Sequence, residues 1–171
     1  MRSVWGKQDM TDLGRAQEGC WLLANGLGGY MSASAAFSVT RCDQGMLVAA
    51  VTAPNERWTL VHRLSEELEA GGEGTFLSTQ QFADGAPPEE GYRHLSSFVW
   101  DGEPVWLYHV NGVQVRRRCA MEHGANTAAV VYEIKNRSGA PCTLRVRPFC
   151  LFAPRGRSGR RGRAFPGRGT A

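Results

Sequence analysis

Asn111-Gly112 stands between two apolar runs, 105–110 and 113–121. Both residues of an Asn-Gly pair accept φ > 0, so the chain doubles back there and the flanking runs pair as antiparallel strands. A chain with this hairpin in its middle is read outward from it. Strands are expected next at 94–100, joined through Asp101-Gly102-Glu103-Pro104, and at 127–135 and 143–149, separated by Asn136-Arg137-Ser138-Gly139-Ala140-Pro141. Upstream, the apolar patterning predicts strands at 30–39, 46–53, 58–64 and 75–82, with 66–70 either a strand or one helical turn. Residues 83–92, built from Asp, Gly, Pro and Glu, are expected as an exposed loop. Residues 1–18 are polar and mixed, either with a short helix over 9–17 or as a loose lead-in throughout. About ten short strands with frequent turn signals and little helical periodicity predict an all-β fold, an antiparallel β-sandwich.

The second constraint is Asn25-Gly26-Leu27-Gly28-Gly29-Tyr30. Three glycines in four positions require a backbone that turns with φ > 0 or is closely approached by another group. A tight turn between strands satisfies that requirement, as does a loop shaped to meet a sugar or a partner surface.

Few chemistries suit the remaining residues. The glycine run fails the dinucleotide fingerprint because Met31 occupies its third glycine position, and no Walker A, His-Glu-x-x-His or Gly-x-Ser-x-Gly is present. The five cysteines include no Cys-x-x-Cys pair, which argues against a disulfide framework and a zinc site; no metal and no cofactor are expected. The four histidines, His62, His94, His109 and His123, are scattered along strands or their ends and read as surface or hydrogen-bonded side chains. Glycoside hydrolysis needs two carboxyl groups about 5 to 9.5 Å apart. Glu66, Glu67, Glu89, Glu90 and Glu122 are the candidates, but neighbouring glutamates on a strand face opposite ways and read as solvated charge, so no catalytic pair is named. Trp21, Trp58, Trp100, Trp106, Tyr30, Tyr92 and Tyr108 are able either to stack on sugars or to fill a sandwich core, the second being the commoner use. With no secretory h-region and no apolar stretch near membrane length, a cytoplasmic, membrane-free location is expected.

Several segments together resemble the N-terminal domain of bacterial and archaeal glycogen debranching enzymes, the amylo-α-1,6-glucosidase family. They are Trp21-Leu22-Leu23-Ala24-Asn25-Gly26-Leu27-Gly28-Gly29-Tyr30-Met31-Ser32, Thr40-Arg41, Gly45-Met46-Leu47-Val48-Ala49-Ala50, Gly91-Tyr92-Arg93-His94-Leu95, Pro104-Val105-Trp106 and His123-Gly124-x-Asn126-Thr127. The resemblance covers roughly residues 18–148. It implies a β-supersandwich, incomplete at its C-terminal end, that binds α-glucan (glycogen or limit dextrin) and adjoins a glycoside-hydrolase catalytic domain normally in the same chain. No catalytic residue is implied within it. The glucan-binding or domain-interface residues implied are Asn25, Gly26, Leu27, Gly28, Gly29, Tyr30 and Arg41, with Tyr30 stacking on sugar and Arg41 holding the loop or a sugar hydroxyl. One departure falls beside them: where the family carries Arg-Tyr-His-Gly, this chain has Cys42-Asp43-Gln44-Gly45.

Charge divides the chain unevenly. Residues 1–133 carry 16 acidic and 10 basic side chains, a net −6, whereas 134–171 carry 10 basic and no acidic ones. A sandwich domain is therefore expected over 19–150 and a disordered Arg/Gly-rich tail over 151–171. The abrupt loss of acids matches out-of-frame reading of GC-rich DNA, the preferred reading of the tail. The alternative is a nucleic-acid-binding protein whose arginines contact phosphates and bases.

Overall fold

The structure is a computed structural model and describes residues 2–53, 55–83 and 85–156. Most of the Arg/Gly-rich tail expected to be disordered, including Phe165, lies outside the described residues.

Thirteen strands occur among the described residues, in chain order β1 (Ser3–Gly6), β2 (Cys20–Ala24), β3 (Tyr30–Ser34), β4 (Gly45–Thr52), β5 (Glu56–Ala70), β6 (Glu73–Phe76), β7 (Thr79–Gln80), β8 (Glu89–Glu90), β9 (Leu95–Trp100), β10 (Pro104–Val110), β11 (Val113–Met121), β12 (Ala128–Asn136) and β13 (Cys142–Pro154). A five-stranded sheet has the order β1-β9-β10-β11-β12, and a six-stranded sheet has the order β13-β5-β4-β3-β2 with β6 also on β5. All pairings are antiparallel, giving the sandwich-like all-β fold that the hairpin signals predict. Asn111 and Gly112 both have positive φ (46° and 77°), and β10 pairs with β11 from Val110↔Val113 outward.

The elements differ from the sequence expectation in several places: the strand expected over 30–39 ends at Ser34, that over 75–82 is divided into β6 and β7, and the loop expected over 83–92 contains β8. Ser3–Gly6 is no loose lead-in; it pairs with β9 as the edge strand of its sheet. The expected helix is split into a 3-10 turn, Lys7–Met10, and one short α-helix, α1 (Leu13–Glu18), whose N-cap Asp12 accepts from Arg15 N–H. Glu56–Ala70 forms one 15-residue strand, because β4 pairs with its first part, β6 with its last part and β13 along its other side. Cross-strand pairing on both sides outweighs the poor strand propensity of Glu66-Glu67. Last, β13 continues to Pro154, past the boundary expected at Cys150.

The core between the sheets is aromatic at its centre. Trp106 packs edge-on against Trp21 and Phe37, with ring centroids 5.3 and 5.0 Å apart, and lies tilted on Phe98. Indole N–H groups need acceptors when buried. Trp106 Nε1 donates to Ala35 O at 2.7 Å and Trp21 Nε1 to Ser34 O at 3.1 Å. Among the seven aromatics weighed as sugar platforms, Trp21, Trp106, Tyr30, Tyr92 and Tyr108 are thus buried, leaving Trp58 and Trp100 partly accessible.

Candidate functional site

The turn between β2 and β3 is fixed from within and from the opposite sheet. Asn25 N–H donates to Gly29 O, and Asn25 Oδ1 accepts from Leu27 N–H at 2.9 Å, an Asx-type turn. Gly26 and Gly28 have φ of 80° and 96°, as the glycine spacing requires. A Cβ on Gly26 would lie 2.4 Å from His123 Cε1, and one on Gly29 would lie 2.6 Å from Asn25 Nδ2 and 2.8 Å from Asn126 Oδ1. Glycine is therefore demanded here by close approach as well as by φ.

Asn126 is the matching half of this clamp. Its Oδ1 accepts from Asn25 Nδ2 and from Ala50 N–H, each at 3.0 Å, while its Nδ2 donates to Ala50 O at 2.9 Å. Asn25 Nδ2 also donates to Ala125 O, and Gly124 N–H to Asn25 O. Asn25, fully buried, thus ties the glycine turn to the β11–β12 connection. Leu27 projects to solvent.

Below the turn opens a cleft of about 520 Å³, lined by Gly28, Gly29, Tyr30 and Arg41 together with Asp43, Gln44, Arg57 and Arg155, and with β2 along one wall. Four of the seven residues singled out from the sequence thus share one concave surface. Asn25, Gly26 and Leu27 do not line it.

The polar groups of the cleft hold one another. Arg57 Nε donates to Gly28 O at 2.5 Å. Tyr30 Oη donates to Asp43 O, so the phenol is engaged and its ring is nearly buried, forming floor more than platform. Burial raises the Tyr30 pKa, against the opposing pull of Arg155 and Arg57. Gln44, buried, caps the 40–44 turn: its Oε1 accepts from Thr40 N–H at 2.8 Å and from Arg41 N–H at 3.2 Å, and its Nε2 meets Cys20 Sγ. The Arg155 guanidinium sits 5.6 Å from the Tyr30 ring centre and 3.4 Å from Asp43 Oδ2. It is carried there because Arg155 N–H donates to Arg57 O, laying the end of β13 over the start of β5.

Sequence reasoning missed Arg57 and Arg155 as cleft residues. Arg57 has no motif around it, and Arg155 opens the basic segment set aside as a tail. Asp43 and Gln44 had a visible signal, the departure from the family pattern, without an indication of what they do.

The carboxylates read as solvated divide as strand alternation dictates, but one member of each pair is buried, which corrects that reading. Glu66 is fully buried and bonded to Arg117 and Tyr132, whereas its neighbour Glu67 faces outward to Arg147. Glu89 is buried and accepts from Ser65 Oγ (2.8 Å), Ser78 Oγ (2.7 Å) and Arg63, whereas Glu90 pairs with Arg93 at the surface. The loop expected over 83–92 therefore ends in a buried anchor. Both buried carboxylates are held by arginine inside the protein, away from the cleft, whose lining includes a single carboxylate, Asp43. Among the described residues no group of three or more His, Cys, Asp or Glu is placed to hold a metal, and no helix is long and apolar enough to cross a membrane.

These features define a β-sandwich domain with an open, arginine-lined cleft built around a glycine turn. The family model described as glycogen debranching enzyme N terminal matches residues 20–165, and the chain belongs to that family. No curated protein and no solved structure matches.

Proposed function

We propose that this domain binds α-glucan through the cleft beneath the glycine turn, and that the same face adjoins the catalytic domain of a debranching enzyme. The observation that carries the reading is the convergence of Gly28, Gly29, Tyr30 and Arg41 on one concave surface in a domain of this family. Its volume suits a few sugar units, since ligand sites run to about 300–1,000 Å³. Arg41, Arg57 and Arg155 offer N–H donors and Asp43 an acceptor, the complement of sugar hydroxyls. The clamp formed by Asn25 and Asn126 supports the reading from behind, because a rigid turn loses little entropy when a ligand settles on it.

Affinity electrophoresis of the full chain in gels with and without glycogen tests this. Glycogen should retard the chain, and Arg41→Ala should relieve that retardation. Equal migration of the unmodified chain in both gels would refute glucan binding.

A further inference from the structure

Most arginines among the described residues are neutralised by a carboxylate. Thirteen lie among the described residues, and nine of them form ion pairs: Arg15, Arg63, Arg93, Arg116, Arg117, Arg118, Arg145, Arg147 and Arg155. Four do not, and two of those four, Arg41 and Arg57, line the cleft. The third cleft arginine, Arg155, reaches the cleft's one carboxylate at only 3.4 Å, on the exposed side of both groups. Three guanidinium groups against one carboxylate give the cleft a positive excess, whereas most described arginines outside it are paired.

Neutral sugar hydroxyls do not call for that excess. Each hydroxyl donates as well as accepts, and a neutral glucan in this cleft would leave two positive charges uncompensated. A phosphate monoester supplies only acceptors at near-dianionic charge, and guanidinium forks match its oxygens geometrically. Arg57 is already oriented by its bond to Gly28 O, which leaves its terminal N–H groups free of that contact. The Arg155 guanidinium stands 5.6 Å from the Tyr30 ring centre. We propose that the cleft takes a phosphate group carried on a glucose unit, so that the glucan or sugar recognised is a phosphorylated one. The inference rests on the cleft being the binding face, and specifies the ligand more closely.

Isothermal titration calorimetry of the full chain against glucose 6-phosphate, glucose, inorganic phosphate and maltohexaose tests it, with the variants Arg41→Gln, Arg155→Gln and, outside the cleft, Arg137→Gln. Glucose 6-phosphate should bind about ten-fold or more tighter than glucose and than inorganic phosphate, the worth of one charge-assisted contact together with the sugar contacts. Arg41→Gln and Arg155→Gln should each weaken it about five-fold or more, whereas Arg137→Gln should not. Inorganic phosphate binding as tightly as the sugar phosphate would overturn the glucose half of the proposal. Phosphate binding insensitive to both cleft variants would place it on the basic segment beyond Gly156 and overturn the site. Maltohexaose binding as tightly as glucose 6-phosphate would overturn this inference while leaving glucan binding standing; glucose 6-phosphate binding without retardation by glycogen would do the reverse.

Discussion

Replacing Arg117 by methionine should destabilise the fold severely, and removing Glu66 as well should restore much of the loss. Arg117 on β11 and Glu66 on β5 are both essentially inaccessible, and their ion pair joins the two sheets. Tyr132 Oη donates to the other carboxylate oxygen, Tyr108 Oη accepts from Arg117 Nη2, and the guanidinium lies 3.3 Å from the Phe37 ring centre and 4.5 Å from that of Trp106. Burial pulls the Arg117 pKa down, but the Glu66 carboxylate and the two phenols outweigh it and leave it raised, so the guanidinium stays charged. Arg117→Met would strand a carboxylate in the core with a phenol as its remaining partner. Breaking a buried pair from one side costs about 3–5 kcal/mol, against about 5–15 kcal/mol for a whole domain. At about 2–4 °C per kcal/mol for a chain of this size, the thermal midpoint should fall by roughly 6–20 °C. Glu66→Leu alone should act similarly, by stranding the guanidinium. In the double variant neither charge of this pair remains buried, and what remains is the desolvation of Tyr108 and Tyr132, at about 1–3 kcal/mol for each hydroxyl left unsatisfied. Urea unfolding of all four proteins, followed by tryptophan fluorescence, closes the cycle. A double variant that loses the sum of the two single losses would show that the pair is uncoupled and refute the reasoning, as would single losses below about 1 kcal/mol.

Gly28→Val and Gly26→Ala should each cost about 1 kcal/mol or more, the first through its φ of 96° and the second also through the His123 ring, and the urea midpoints should show it. His62 and His94 have pKa values lowered by burial first and by the neighbouring Arg63 and Arg93 next. Below the ordinary histidine value of about 6.5 the unfolded chain then takes up protons that the folded one refuses, so their contribution is intact above that pH and declines as pH falls below it. His62→Gln with His94→Gln should flatten the fall in urea midpoint between about pH 7 and pH 5.5, and an unchanged slope would refute the assignment. Burial pushes the Cys119 thiol up to about 12, while Cys20, Cys42 and Cys150 are exposed. Ellman titration of the native chain should therefore show three fast thiols, with Cys119 reacting only on unfolding.

Local chemistry made part of this protein legible without coordinates. Asn111-Gly112 dictates a hairpin because φ > 0 at both positions is a local requirement, and the spacing of Gly26 and Gly28 dictates a turn for the same reason. Alternation determined that Glu66 and Glu67, like Glu89 and Glu90, face opposite ways. Which member would be buried was a matter of what distant segments brought beside it: Arg117 comes from 51 residues away and Ser65 from 24. The cleft was likewise only half visible. Its glycine turn and Arg41 lie in one recognisable stretch, whereas Arg155 arrives because β13 pairs with β5 in a register that sets Pro154 opposite Trp58. A sequence pattern reports the conformations and faces available to each segment, since those depend on its own residues and immediate neighbours. Register, and with it the company that a charge keeps, depends on contacts between segments far apart in the chain, and these exist only once the sheets have packed.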